Sequence, residues 1–244
     1  MTIQPLLVLA TVSGSADAVP KLPKHCESQM DEMAAAAGID PVEFRLRYLG
    51  GNTRAADVLR AAANKAGWQA RRPRAVGGSG GNSGGSGNIR TGQGIAISGL
   101  AGTVVAQVAD IDVDTSSGRV TVKKVTVAHD CGIIVNPDGL SNQIEGNVIQ
   151  SVSRALMEEV DFDSAGVRNL NWDSYPIIRF RDVPDVDIVL INQRDMPPWG
   201  AGEASSIATA AAIANAVFDA VGARLREAPF MPARVLRALR GGTV

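Results

Sequence analysis

The sequence predicts an α+β fold, a two-layer sandwich of antiparallel strands and hairpins with packed helices. Three observations support this class. Residues 103–128 alternate apolar and polar side chains around a central turn, which is typical of a β-hairpin. Residues 27–68 and 140–158 repeat apolar side chains at helical spacing. With 244 residues, of which 45% are apolar, the chain is also long enough to bury a sizeable core.

The composition excludes several classes of function. Lys and Arg total 24 against 25 for Asp and Glu, and the net charge of −1 argues against nucleic acid or an anionic membrane surface as the main partner. The apolar runs are far shorter than the roughly 20 residues that a membrane span needs. Because the chain has only two cysteines, Cys26 and Cys131, and two histidines, we expect neither a disulfide scaffold nor a metal site built from protein ligands.

We divide the chain into four segments. Residues 1–24 match no recognisable pattern apart from a strand candidate at 6–12, and residues 25–76 form a helical segment. Residues 77–88 are a Gly/Ser linker, whose regular run GGSGGNSGGSG we interpret as an engineered join. A phosphate-binding glycine loop is disfavoured, since the flanks lack the strand and the helix that it needs. Residues 89–244 form the α+β domain.

Three amphipathic helices are predicted in the helical segment. The first covers residues 27–37. The second follows the N-cap Asp40 with Pro41 at its first position, and the third covers residues 53–68. Their apolar stripes predict that one face of each helix is buried.

The α+β domain is predicted to contain a hairpin followed by helices and short strands. The hairpin strands cover residues 103–114 and 119–128, joined by turn residues of sequence Thr-Ser-Ser-Gly. The later elements are helix 140–158, strands 175–180 and 186–191, helix 204–225 and helix 232–239.

A first candidate site lies where a turn leads into the predicted 140–158 helix. The sequence Asn136-Pro137-Asp138-Gly139 precedes Asn142, Gln143 and Glu145. Amides beside the free N–H groups of a helix start can bind a polar cofactor or an anion, although a solvated capping turn explains the same residues. Gly146 destabilises a helix by about 1 kcal/mol relative to Ala, which suggests that something approaches closely there.

A second candidate site is the sequence Pro-Pro-Trp-Gly-Ala-Gly-Glu-Ala at residues 197–204. Its prolines stiffen the loop, and its glycines allow a ligand to approach the backbone. Glu203 directly precedes a predicted helix of small apolar residues. It is either a charge that stabilises the helix N-terminus by about 0.3–1 kcal/mol or a catalytic base held in a pocket. These residues by themselves leave both interpretations open.

A third candidate is Asp130-Cys131-Gly132, which follows the second hairpin strand. Cys131 at a strand end could act as a nucleophile with His129 as its partner. A buried small side chain is the favoured interpretation of Cys131.

Several motifs, taken in order and spacing, resemble one protein family. They are Gly94-Ile95-Ala96 with residues 105–114, Asp130-Cys131-Gly132 with Asn136-Pro137, Asn142-Gln143-Ile144-Glu145-Gly146, and Gly200-Ala201-Gly202-Glu203. Residues 27–34 and 40–45 add to the likeness. The chain thus resembles the C-terminal part of the molybdopterin-binding large subunit of the xanthine dehydrogenase and aldehyde oxidase family. Within that family it is most similar to the β-subunits of the isoquinoline 1-oxidoreductase type.

The resemblance implies a fold, a cofactor and site residues. The fold is the molybdopterin-binding domain of aldehyde oxidase type, and the cofactor is molybdenum-molybdopterin, whose metal is held by the pterin dithiolene and not by protein ligands. Glu203 matches the family's catalytic base, which takes a proton as oxygen is transferred to an aldehyde or N-heterocycle. Gln143, Ala201 and Gly202 match positions beside the cofactor.

The chain also departs from the family pattern. The upstream cofactor-contacting loops have no counterpart, and the cysteine patterns of iron–sulfur clusters are missing. The implied partners are therefore the remaining part of the large subunit, an iron–sulfur subunit and a small-molecule substrate.

We expect a fragment of a molybdenum hydroxylase that is inactive as an isolated chain. Without a convincing export signal it is expected to be cytoplasmic, although similar proteins include periplasmic members. The alternative is a cofactor-free binding or scaffold module, or a truncated one that keeps the fold without turnover. An unrelated α+β ligand-binding domain is a third interpretation.

Overall fold

The computed structural model describes residues 22–70 and 86–241. Its helices and strands are, in chain order, α1 (Leu22–Ala37), α2 (Pro41–Tyr48), α3 (Thr53–Lys65), β1 (Ile89–Leu100), β2 (Thr103–Asp114), β3 (Val120–Asp130), α4 (Pro137–Leu156), β4 (Phe162–Asp163), β5 (Gly166–Val167), β6 (Asp185–Leu190), α5 (Thr209–Val221) and α6 (Pro232–Leu239). Short 3-10 turns cover Phe180–Asp182 and Ala204–Ser206. The predicted strand at 6–12 and most of the Gly/Ser linker lie outside the described residues.

Within the described part of the chain, the main sheet has the strand order β1-β2-β3-β6. β1, β2 and β3 are antiparallel neighbours, with a register shift between Asp110 and Ile111. β6 instead runs parallel to β3. This pairing differs from the antiparallel arrangement predicted for the short strands, because the chain crosses over through α4 between β3 and β6.

Helices cover both faces of this sheet. On one face α4 and α5 bury side chains such as Ile144 and Ile213 against Val127 of β3. On the other face α3 packs Leu59 into a cluster with Val108 of β2. The α+β class is therefore confirmed, and the structure adds a further helical layer to the two that the sequence predicts.

Two glycines allow α5 to lie very close to β1. A Cβ atom on Gly94 would stand 2.1 Å from the backbone nitrogen of Ala216, and one on Gly92 would stand 2.3 Å from the carbonyl oxygen of Ala216. Any side chain at either position would push the helix away from the sheet. The stretch Ala204–Val221 is long and apolar enough to cross a membrane, but 72% of it is buried in the fold, as in a core helix.

The predicted strand at residues 175–180 is wrong. Pro176 has no N–H to donate, and the N–H of Ile178 donates to the Ser153 hydroxyl at 2.9 Å instead of to a strand. The segment belongs to a largely irregular stretch between α4 and β6, residues 157–184, which we call the excursion. The short β4–β5 hairpin is its only strand pair among the described residues.

Two other elements differ from the prediction. β1 is missed, because glycines such as Gly92 and Gly94 weaken its strand pattern. The predicted helix at 204–225 is divided into a 3-10 turn and α5, and α5 ends where Gly222 adopts a left-handed conformation with φ 73°.

Candidate active site

A capping turn fixes the start of α4. Asn136 is the N-cap, its side chain accepts the N–H of Gly139 at 2.9 Å, and Pro137 occupies the first helical position. Ile144 is buried against the sheet, whereas Gln143 lies on the exposed side of the helix. The helix therefore presents the amide of Gln143 to solvent beside its N-terminal end.

Side chains from distant elements hold the backbone of residues 197–206, which we call the anchored loop. Its carbonyl groups accept hydrogen bonds from Thr103 Oγ1 at Gly200 (2.7 Å), Asn147 Nδ2 at Gly202 (2.9 Å) and Ser151 Oγ at Ser206 (3.1 Å). The N–H of Trp199 donates to the carbonyl of Cys131 at 2.8 Å. β2, α4 and the end of β3 thus fix one irregular segment from several sides.

A buried ion pair holds Trp199 in place. The guanidinium carbon of Arg54 lies 4.4 Å from the Trp199 ring centroid, and Arg54 Nη2 pairs with Asp130 Oδ1 at 2.7 Å. Burial alone would raise the pKa of Asp130, but hydrogen bonds from Arg54 and from the Gly132 N–H hold that pKa below its usual value. The pair therefore stays charged at neutral pH and links α3 to the end of β3 and to the anchored loop.

Two glycines with positive φ let the anchored loop approach the strands. A Cβ atom on Gly132, where φ is 79°, would stand 2.0 Å from the carbonyl oxygen of Pro197. A Cβ atom on Gly102, where φ is 91°, would stand 2.4 Å from the ring of Trp199. A larger residue at either position would displace the loop.

The structure brings the predicted site residues onto one surface. Gln143 Nε2 lies 3.8 Å from the place that a Cβ atom on Gly202 would occupy, and Ala201 is half-buried against the main core. Glu203 comes directly before the 3-10 turn, and its carbonyl accepts the N–H of Ser206 at 2.9 Å. The two sequence motifs, one on α4 and one on the anchored loop, are therefore neighbours.

The side chain of Glu203 is exposed. It accepts no N–H of the following turn. The alternative role, a charge that stabilises a helix N-terminus, needs no hydrogen bond, but α5 begins only at Thr209, and the dipole effect is confined to the first helical turn. The described residues alone do not enclose Glu203 in the pocket that the base interpretation requires. A cavity of about 310 Å³ lies elsewhere, between β1, β2 and α5, and contains none of the predicted site residues.

His129 and Cys131 do not form a nucleophilic pair. Burial raises the pKa of the Cys131 thiol, and His129 Nδ1 contacts the Ser205 hydroxyl at 3.0 Å. Burial also lowers the pKa of His129 to about 4, so its imidazole is neutral at pH 7. The interpretation of Cys131 as a buried small side chain is confirmed. Within the described residues, no group of His, Cys, Asp or Glu is arranged to hold a metal ion.

Sequence reasoning misses a buried polar cluster beneath the anchored loop. Gln107, His129, Ser205 and Thr209 are fully buried, and hydrogen bonds join them. The available signals are Gln107 and His129, polar residues on the faces of β2 and β3 that otherwise carry valines and alanines into the core. Arg54 gives no such signal, because nothing in its local sequence indicates a buried partner.

Comparison with known proteins identifies the family. A model of the molybdopterin cofactor-binding domain matches residues 14–184. One nicotinate dehydrogenase subunit, from Pseudomonas putida, is 41% identical over 96% of this chain and 20% of its own length. The isoquinoline 1-oxidoreductase β-subunit of Brevundimonas diminuta is 31% identical over 85% of this chain and 25% of its own length.

Solved structures agree with this assignment. Quinoline 2-oxidoreductase of Pseudomonas putida 86 matches 58% of this chain and 19% of its own chain, with a TM-score of 0.54 and 27% identity. The chain thus spans about a fifth to a quarter of the length of the curated relatives above. It belongs to the molybdopterin-binding subunits of the xanthine dehydrogenase and aldehyde oxidase family, as a partial domain whose cofactor is molybdenum-molybdopterin.

Proposed function

We propose that this chain forms one wall of the active site of a molybdenum hydroxylase that oxidises an N-heterocycle or an aldehyde, with Glu203 as the base. One observation carries the proposal. The carboxylate of Glu203 is exposed and caps nothing, although the backbone on both sides of it is held by hydrogen bonds from distant elements. A fixed backbone that presents an unused carboxylate is the arrangement that proton transfer to a positioned base requires.

The surface around Glu203 fits a polar cofactor. Cβ atoms on Gly146 and Gly200 would meet nothing within 4 Å, and one on Gly202 would meet only Gln143 at 3.8 Å. Gly102 and Gly132 are required by the close packing of the anchored loop, whereas Gly146, Gly200 and Gly202 are not. The absence of a side chain at these three positions therefore leaves room for a ligand beside backbone and amide donors. Gln143, Ala201 and Gly202 would hold the pterin, and the bound group supplies the oxygen-transfer and electron-accepting chemistry.

In this proposal Glu203 takes the proton from the oxygen that attacks the substrate carbon. The anchored loop fixes the backbone from which the carboxylate extends, so that little backbone reorganisation accompanies the proton transfer. Since the surface is open in the described residues, the remaining part of the large subunit closes the pocket and excludes water. An iron–sulfur subunit then removes the electrons.

The names of the relatives include both substrate classes, since a membrane-bound aldehyde dehydrogenase of Gluconacetobacter polyoxogenes is 31% identical over 88% of this chain. We put an N-heterocycle first because the relative with 41% identity is a nicotinate dehydrogenase subunit. Nicotinate, isoquinoline and quinoline are all N-heterocycles. A second candidate function is a family member that keeps the fold without cofactor or turnover, and it is favoured by the open surface on which the described residues leave Glu203 unenclosed. The experiment below separates the two.

The test uses the chain purified from its host together with the polypeptides with which it assembles. Molybdenum is measured by mass spectrometry, the pterin by the fluorescence of its oxidised form, and turnover by dye reduction with nicotinate, quinoline or benzaldehyde. Glu203→Gln is expected to lower kcat roughly 10²- to 10⁴-fold while the molybdenum content stays constant, because only the proton acceptor is lost.

Glu43→Gln provides the matched control. Glu43 is also exposed and pairs only with Arg47 on the surface of α2, so its loss should leave turnover unchanged. A fully active Glu203→Gln complex would refute the base assignment. An assembled complex without molybdenum and pterin would favour the family member that keeps the fold without cofactor or turnover.

A further inference from the structure

Four polar side chains lie directly beneath the anchored loop in an otherwise apolar interface. Gln107, His129, Ser205 and Thr209 are all 0% exposed. The sheet face around them consists of residues such as Val127 and Ala109, and these pack against the small side chains of α5. Burying polar groups is unfavourable unless hydrogen bonds compensate, so this cluster needs a reason that packing alone does not provide.

The hydrogen bonds of the cluster converge on one residue. Gln107 Nε2 donates to the carbonyl of Ser205, and Gln107 Oε1 accepts from Thr209 Oγ1 at 2.7 Å. His129 Nδ1 meets the hydroxyl of Ser205 at 3.0 Å. Ser205 is therefore held by its backbone and by its side chain, from two neighbouring strands.

Ser205 lies two residues after Glu203, in the middle of the 3-10 turn Ala204–Ser206 that directly follows it. We propose that His129 and Gln107 are positioning residues, which fix Ser205 and thereby the direction in which Glu203 presents its carboxylate. This inference rests on the proposed function of Glu203 as the base.

The cluster is not what a core selected for stability alone would contain. His129 Nε2 is buried and has no hydrogen-bond partner among the described residues, which is a destabilising feature. Of the two ring nitrogens only Nδ1 has a hydrogen-bond partner in the described part of the chain, and that partner is in the 3-10 turn that follows Glu203. Buried polar contacts give a defined geometry where apolar packing would tolerate sliding, and that is what a positioned base requires.

The test compares His129→Asn with His129→Leu in the assembled, molybdenum-containing complex. Asn keeps a polar atom near the position of Nδ1, whereas Leu has similar bulk and no polar atom. His129→Leu is expected to lower kcat about 10²-fold with little change in KM, since a misplacement of about 1 Å has an effect of that size. His129→Asn should restore most of the loss. Equal losses in both variants, or full activity in His129→Leu, would overturn the proposal.

A second measurement needs no turnover. Hydrogen exchange of peptides that cover residues 199–209 should become faster in His129→Leu and in Ser205→Ala, and should stay close to wild type in His129→Asn. Ser205→Ala removes only a hydroxyl, so it provides the answer if His129→Leu fails to fold. Unchanged exchange in Ser205→Ala would count against the proposal.

The histidine count permits a direct view of the ring. The chain has only two histidines, so a His25→Gln variant assigns the ring signals of His129 by NMR. We expect the neutral ring of His129 to keep a single tautomer between about pH 5 and 8. This preference for one tautomer should be lost in Ser205→Ala. If Glu203→Gln is inactive while His129→Leu is fully active with normal exchange, positioning fails and the base assignment stands. If Glu203→Gln is active, the base assignment fails, whatever the exchange data show.

Discussion

The anchored loop and the excursion are both irregular, but different contacts hold them. Donors from β2 and α4 bind the carbonyl groups of the anchored loop. The excursion has internal bonds, such as the Arg168–Asp163 ion pair at 2.7 Å and the bond from the Tyr175 hydroxyl to Glu158 at 3.0 Å. Distant elements also bind it, but two of these bonds go to carboxylate side chains, from Arg234 to Glu159 and from Arg119 to Asp182, and a third joins the Ile178 N–H to Ser153. Its exposed large apolar side chains are Val160, Phe162, Val167, Leu170, Trp172 and Phe180.

This difference shows what makes an irregular segment able to position a chemical group. A segment held from several distant elements can shift only if those elements also shift, so its geometry is as rigid as the core. A segment held by near neighbours can rearrange without disturbing the core. The anchored loop is bound at three of its backbone carbonyl groups by side chains of β2 and α4, and this gives the backbone support that a positioned base needs.

The largest expected effect comes from removing Arg54. Arg54→Ala leaves the carboxylate of Asp130, which is 0% exposed, without its cation, and should lower the free energy of unfolding by about 3–5 kcal/mol. Urea denaturation measures the change. Arg47→Ala is the control, because its pair with Glu43 is more than half exposed and contributes only about 0.3–0.5 kcal/mol. Similar losses in both variants would mean that the ion pair does not support the anchored loop.

Acid should weaken the support of the anchored loop through His129. Burial lowers its pKa to about 4, from about 6.5 in the unfolded chain, so between these values the unfolded state binds more protons and stability falls as the pH falls. The contribution lost between pH 7 and pH 5 is about 2 kcal/mol. In urea denaturation at both pH values, His129→Asn should lose less stability over this interval. An identical pH dependence would show that the ring is not buried as the structure has it.

Local sequence signals predict the elements that depend on local contacts. Asp40 caps α2 as expected, since its side chain accepts from the N–H groups of Val42 and Glu43 only two and three residues away. The strand at 103–114 is predicted with its observed bounds, because its alternation and turn lie within the strand and its neighbour. Each of these depends on residues adjacent in sequence.

The features that failed prediction depend on distant residues. Gly92 and Gly94 weaken the strand pattern of β1, so the sequence does not predict this strand. They are glycines because α5, more than 100 residues later, packs closely against them. The residues of the candidate site could be named through a family resemblance, but their support could not. Thr103 and Gln107 hold the anchored loop across nearly 100 residues of sequence. Thr103 lies in no recognised motif, and the motif at 105–114 that contains Gln107 does not indicate its distant partners.

A moderate effect is expected where α4 passes the anchored loop. Gly146→Ala should stabilise the chain by about 1 kcal/mol, because Gly146 lies within a helix and a Cβ atom there meets nothing within 4 Å. The same substitution at Gly132, where the anchored loop blocks it and φ is positive, should destabilise the chain by about 2–3 kcal/mol. Thermal unfolding of the two variants measures whether each substitution raises or lowers the stability of the chain. A destabilised Gly146→Ala would show that the helix surface is less open than the structure has it.

The smallest effect is expected in the excursion. Phe180 is 98% exposed, so Phe180→Ala should change the free energy of unfolding by no more than about 0.5 kcal/mol. Phe230→Ala is the matched control: that ring is 1% exposed in the core, and its loss should cost about 3–5 kcal/mol. Both are measured by urea denaturation of the same chain. If Phe180→Ala lowered the free energy of unfolding as much as Phe230→Ala, the excursion would be packed as firmly as the core. Bonds from distant elements would then not explain why the anchored loop differs from the excursion.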